Sequence, residues 1–281
     1  MLLGLVAVLA LASTLMLLNQ FNRGFTRSNR EAESYKALLQ IREALIARAV
    51  ADLNRPGSLP CPDINGDGTP EQTPSDCVQF SGWLPWRTLD LPDLRDSSGE
   101  RFWYVLSPTF RDFVAAQPIN TLTSSTLSLD GKGPVAALVI APGPALPGKN
   151  RPSNNIGDYL DGVNGTSGTS NFISGPQSNT FNDQIVALDS ASLMYAVAPR
   201  ILYTVRAAII AAGGMLQDAD TDGDGFSDAG VTSGKFPYKN PLYAPFLPVP
   251  DFLQANNWYS LISYDRVAKT LSLNGRSVSL Q

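Results

Sequence analysis

Apolar and polar positions are spread unevenly along this chain. The first eighteen residues, MLLGLVAVLALASTLMLL, carry no charge, a length that just spans the hydrocarbon core of a bilayer. The following stretch, NQFNRGFTRSNREAESYKALLQIREALIARAVADL, places Tyr35, Leu38, Leu39, Leu45, Ile46 and Ala49 at three- and four-residue spacing, which marks an amphipathic helix. The pattern predicts one helix from about residue 2 to about residue 53, apolar all round in its first half and bent at Gly24. Asn54-Arg55-Pro56-Gly57 ends it, because proline cannot continue the hydrogen-bond ladder. A cleaved signal peptide fits less well: the apolar run is too long, and no small-x-small site precedes the polar region.

Beyond residue 54 the pattern changes to strands, turns and one further helix. RFWYVLS (101–107) and VAALVIAP (135–142) read as buried strands. NWYSLISYDRV (257–267) and KTLSLNGRSVSL (269–280) also read as strands, the second folded at the hairpin dipeptide Asn274-Gly275. Residues 144–182, rich in Gly, Asn, Ser and Pro, read as a long surface loop or insertion. DSASLMYAVAPRILYTVRAAIIAAGG (189–214) predicts a second helix, capped by Asp189 or Ser190, kinked at Pro199 and closed by Gly213-Gly214. Arg200 and Arg206 interrupt its apolar run, so it is expected to lie buried against a sheet rather than in a membrane. No repeat of solenoid period is evident. The expected fold is α+β: a long protruding N-terminal helix packed on an antiparallel β-sheet, with a helical and loop-rich insertion at 144–230. Residues 1–53 would form a transmembrane or filament-core helix, and 54–281 an extracytoplasmic globular domain.

Composition narrows the chemistry. Net charge is −4 and the pI about 4.9, with no Lys/Arg cluster interleaved with aromatics, so nucleic acid is not an expected partner. The absence of histidine removes the commonest general base and zinc ligand, and with them any Ser-His-Asp triad. Neither a Gly-x-Ser-x-Gly elbow nor a phosphate-cradling Gly-x-x-x-x-Gly-Lys-Ser/Thr loop occurs. Asp90, Asp93, Asp96 and Glu100 could supply a glycosidase carboxylate pair, but carboxylates so placed more often form turns and caps. Trp83, Trp86 and Trp103 could stack sugars, though core packing fits them better. The chain is expected not to be an enzyme. Between Cys61 and Cys77 lies PDINGDGTPEQTPSD, which has almost nothing to pack. A disulfide across that loop is expected, and with it an oxidising compartment.

The strongest positive signal is acidic. DADTDGDGFSDAG (218–230) holds five aspartates whose mutual repulsion calls for a cation. From Asp220 it follows the calcium-loop frame D-x-D-x-D-G-x-x-D. Asp220, Asp222, Asp224 and Asp228 would be side-chain ligands, Phe226 would offer its carbonyl, and Gly225 would allow the sharp turn. Val231 stands where an EF-hand carries its bidentate glutamate, so Asp218 or another residue would complete the shell. The same frame recurs with Asp63, Asn65, Asp67 and Glu71 inside the expected disulfide loop. Calcium is therefore the expected cofactor of both loops.

Arg23, Arg27 and Arg30 follow the apolar run and no basic residue precedes it, which would keep the body cytoplasmic. The disulfide places the body outside. Both hold if a short basic leader preceded residue 1 and was removed after insertion. The apolar half-helix, amphipathic second half and β-rich body resemble the type IV pilin and type II secretion pseudopilin superfamily. RPGSLPCPDINGDG…GWLPWRTLDLPDLRDSSGERFWYVLS is similar to a large minor-pilin-like group. The resemblance implies a processed and N-methylated Met1. It implies an inner-membrane anchor with a periplasmic body before assembly, then a pilus or pseudopilus with other such subunits met through the N-terminal helix. Leu5 stands where most members carry glutamate, a departure shared with tip subunits. The alternative is a membrane-anchored periplasmic binding or adhesin-like protein that uses calcium.

Overall fold

The computed structural model describes residues 2–74, 76–113, 117–240 and 252–281, and in the N-terminal helix the side chains of Met16 and of residues 28–51. Met1 lies outside the described residues, as do the side chains of Leu5, Arg23 and Arg27. Among the described residues the fold is α+β, with four helices and two sheets.

Helix α1 runs Leu2–Ala51. Ser34, Leu38, Ile41, Leu45 and Ala49 form its buried stripe, all four apolar members fully inaccessible. At 100° per residue these positions share one face, whereas Tyr35 and Leu39, expected on that face, fall outside it and are exposed. Asp52 closes the helix end: its Oδ1 accepts from the N–H of Asn54 (2.9 Å) and of Arg55 (2.7 Å), and its Oδ2 pairs with Arg48 at 2.7 Å.

Six strands form the larger sheet: β1 (Ser81–Trp83), β2 (Trp103–Leu106), β3 (Leu127–Leu129), β4 (Lys132–Ala141), β5 (Asn171–Phe172) and β6 (Gln184–Asp189). β4 pairs antiparallel with β2, β3 and β6, while β3 and β5 run parallel. Residues of β4 are buried on both faces, which requires cover on each side. On one side α1 and helix α3 (Ser190–Ala211) pack with Tyr104, Leu106, Ala137 and Val139. On the other, Trp83, Trp103, Val105, Leu138 and Ile140 are covered by Ile156 and Tyr159 of the short helix α2 (Ile156–Tyr159), with Leu160 and Phe172. Residues 144–182 are mostly at the surface, as a surface loop or insertion would be, and within them these four residues form a lid on the sheet's outer face. The stretch 144–230 also divides: β6 and α3 inside it belong to the central sheet and the main core.

α3 begins at Asp189, whose Oδ1 accepts the Ser192 N–H at 2.8 Å. It closes through Gly213 and Gly214, both at positive φ, whose N–H groups return to Ile210 and Ile209 carbonyls. Among the described residues it is one helix long and apolar enough to cross a membrane, with half of that window buried. Its two arginines reach across the fold: Arg200 donates to the Val50 carbonyl at the end of α1, and Arg206 to the Ser279 (2.8 Å) and Gln281 (2.9 Å) carbonyls. The smaller sheet holds β7 (Ser233–Lys235), β8 (Ser263–Asp265), β9 (Thr270–Leu273) and β10 (Arg276–Ser279), beside the short helix α4 (Phe252–Ala255). Asn274 and Gly275 both take positive φ between β9 and β10, as a type I′ hairpin requires. Tyr259–Leu261, expected in a strand, instead forms a short 3-10 helix before β8.

Candidate metal loops

Cys61 and Cys77 are bonded, with Cα atoms 5.5 Å apart. Inside the loop they close, Asp63 is buried and ties the start of the loop to β1: its N–H and carbonyl exchange hydrogen bonds with Trp83 at 3.0 and 2.8 Å. Its carboxylate turns the chain, Oδ1 accepting the Gly66 N–H (2.6 Å) and Oδ2 the Gly68 N–H (2.7 Å). Asn65 Oδ1 then accepts from Asp67 N–H, Asp67 Oδ1 from Thr69 N–H, and Glu71 Oε2 from Ile64 N–H.

The second loop repeats this frame position by position. Asp220 is buried and exchanges 3.1 and 2.7 Å bonds with Lys235 of β7. Its Oδ1 accepts the Gly223 N–H (2.6 Å) and its Oδ2 the Gly225 N–H (2.9 Å). Asp222 Oδ1 accepts from Asp224 N–H, Asp224 Oδ1 from Phe226 N–H, and Asp228 Oδ2 from Thr221 N–H. All four glycines sit at positive φ, from 81° to 94°, where a side chain would strain the turn.

Among the described residues, two groups of carboxylates converge. One oxygen each from Asp63, Asp67 and Glu71 lie within 4.8 Å of one another, and so do oxygens from Asp220, Asp222 and Asp224. Each group offers three hard oxygen ligands and could hold a metal ion. Burial, with the charges of Asp63 and Asp67, pushes Glu71 above the usual carboxylate range against the pull of the Ile64 N–H. Hydrogen bonds from Thr69 hold Asp67 below that range, and bonds from Thr221 do the same for Asp228. Basic groups also stand close: a Cβ on Gly66 would collide with Arg101 Nη1, and one on Gly223 would meet Lys235 Nζ at 2.6 Å. Any entering cation shares the field with those groups.

Not every candidate ligand joins a cluster. Asp228 turns its Oδ2 to the Thr221 N–H and hydroxyl. Asp218 is directed elsewhere: Oδ1 pairs with Arg266 Nη1 at 2.7 Å and Oδ2 accepts the Gly230 N–H at 2.8 Å. Asn65 stays at the exposed rim, its Nδ2 donating to Asp67 Oδ2. The Phe226 ring is half exposed, with Lys239 Nζ 5.5 Å from its centroid.

The carboxylates of residues 90–100 are held in turns and ion pairs. Asp96 accepts three backbone N–H groups, from Ser98, Glu100 and Gly143. Asp93 pairs with Arg95 and Arg101, and Glu100 with Arg151. Asp90 occupies a positive-φ turn position. Trp83 and Trp103 are buried and pack with Tyr159 at 5.4–6.4 Å between centroids in the lid-covered cluster, while Trp86 is half-buried outside it with the Arg87 guanidinium over its ring. A cavity of about 540 Å³ lies where α1 meets the body, lined by Arg30, Ser34, Ser97, Gly143, Asn182 and Gln184 among others, and shares no residue with either loop. No family model, curated protein or solved structure matches this chain.

Proposed function

We propose that this chain is a structural minor pilin or pseudopilin-like subunit of a type IV pilus or type II secretion system, placed at or near the filament tip and stabilised by calcium. The observation that carries the reading is α1. Its first eighteen residues are uncharged, it continues as one helix to Ala51, and its second half buries an apolar stripe against the body. Such a helix suits two settings in turn, a bilayer before assembly and a bundle of like helices after it. In this reading the first half of α1 protrudes, the body is periplasmic, and the Cys61–Cys77 bond fits that oxidising compartment. The two acidic loops would take calcium, whose flexible oxygen coordination suits three carboxylates and a turn carbonyl better than the strict octahedron of magnesium.

Filaments sheared from producing cells, or pseudopili trapped by cross-linking, test the assembly role. The chain is expected in them at far lower abundance than the main subunit. Recovery only in the soluble periplasmic fraction would contradict it. The cavity beside Arg30 favours a second reading, a membrane-anchored binding protein. A small molecule retained by the purified chain in native mass spectrometry would support that alternative.

A further inference from the structure

The match between the two acidic loops extends well past them. After the first loop the chain reads Ser81-Gly-Trp-Leu-Pro-Trp-Arg87; after the second it reads Ser233-Gly-Lys-Phe-Pro-Tyr-Lys239. Main-chain bonds agree at corresponding positions. Arg87 N–H donates to Gly68 O and Lys239 N–H to Gly225 O, while Leu84 N–H donates to Phe102 O and Phe236 N–H to Ile262 O. Glu71 N–H donates to Pro62 O and Asp228 N–H to Ala219 O; Val78 N–H donates to Glu71 O and Val231 N–H to Asp228 O. The strand pairs share one register, Gly82 opposite Tyr104 and Gly234 opposite Tyr264. The two tyrosines even donate to equivalent carbonyls, Tyr104 to Pro60 (3.1 Å) and Tyr264 to Gln217 (2.8 Å), each three residues before the loop's first aspartate.

We infer that residues 60–105 and 217–265 are two copies of one loop-and-ribbon unit, and that in the second copy Asp218, held by Arg266, is the positioning residue that replaces the disulfide. Cys61 lies two residues before Asp63, and Cys77 lies one residue before Val78. The residues at those places in the second copy are Asp218 and Gly230. Where the first copy has a covalent bond, the second has the Asp218 carboxylate accepting the Gly230 N–H at 2.8 Å. Arg266, at the end of β8, fixes the other carboxylate oxygen at 2.7 Å. The two links close corresponding loops, the first over 16 positions and the second over 12, one by a bond that thiols can reduce and one by charge. The two loops should therefore loosen under different agents: a reductant frees residues 62–76, and removal of the charge pair frees residues 219–231. This assignment does not depend on which ion, if any, the loops take.

Hydrogen–deuterium exchange on the full chain, read on peptides from the two loops, tests it. Reduction is expected to speed exchange in 62–76 and leave 219–231 unchanged. Asp218→Ala is expected to speed exchange in 219–231 about tenfold or more, the scale of losing a hydrogen bond to a charged group, and leave 62–76 unchanged. Asp218→Asn, which keeps the acceptor for Gly230 but loses the charge, and Arg266→Gln should both fall between. High salt should speed exchange in 219–231 of the unaltered chain and not in 62–76, a signature that a purely steric role for Asp218 would lack. If Asp218→Ala fails to fold, the two milder variants and the salt series carry the test. Exchange in 219–231 that ignores Asp218→Asn, Arg266→Gln and salt alike would overturn the inference, as would both loops responding together to reduction.

Discussion

Asp220 and Asp63 differ from the other acidic residues of their loops because they are buried and turn the backbone whether or not an ion is present. Each carboxylate holds two glycine N–H groups. Asp220→Ala should therefore cost roughly 2–4 kcal/mol in urea unfolding even with chelator. Asp222→Ala and Asp224→Ala, at exposed positions, should cost little under chelation. If the loop takes calcium, adding it should raise the melting temperature of the unaltered chain. At a hundred times its dissociation constant the stabilisation is about 2.7 kcal/mol. Asp222→Ala should abolish most of that shift and Asp93→Ala none of it; a melting curve indifferent to calcium would leave the aspartates a turn device only. Asp183 should give stability one pH-dependent contribution. It is buried beside Asp161, its Oδ2 accepting the Asp161 N–H and the Asn164 amide, while Lys149 pairs with Asp161 at 3.3 Å. Burial raises its pKa to about 7, so the folded chain keeps a proton that the unfolded chain releases near pH 4. Its contribution is complete at low pH and is lost as pH rises through about 7. Asp183→Asn should flatten the fall in stability between those values, measured by urea midpoints across pH; an unchanged slope would show that Asp183 is not its source.

Elements were legible where local chemistry decides them. Asp189 and the paired glycines bound α3, Asn274-Gly275 turned the C-terminal hairpin, and the two cysteines met across a loop with nothing to pack. β6 was not legible, because QIVALD is short and runs straight into the capping Asp189, so it merges with the helix that follows. The lid was missed for a different reason: its covering residues, Ile156, Tyr159, Leu160 and Phe172, are scattered among Gly, Asn and Ser, and only the two-sided burial of β4 reveals the face they must cover. The doubled unit escaped because nine residues separate Glu71 from Ser81 and only four separate Asp228 from Ser233, so the copies share no fixed period. Along α1 the phase of the buried stripe makes a sharp contrast. Ile41→Ala should cost about 2–5 kcal/mol, as for a fully buried aliphatic side chain, while Tyr35→Ala should be nearly neutral. Equal losses in urea unfolding would place the helix in another rotation.

At the scale of the whole molecule, α3 packs against both sheets, while α1 packs against α3 and the larger sheet. Both acidic loops lie in the body, one closed by a disulfide and one by an ion pair, so the loops stiffen the part that would face outward. The central claim is that the apolar start of α1 anchors the chain in a membrane and then joins a filament. The most direct measurement is mass spectrometry of the N-terminal peptide from native protein, recovered after a carbonate wash of the membranes. The expected result is a chain retained in the membrane pellet, with an N-methylated amine on the residue that opens the apolar run. A carbonate-soluble chain, or one that begins at a formylated or unprocessed methionine, would contradict it.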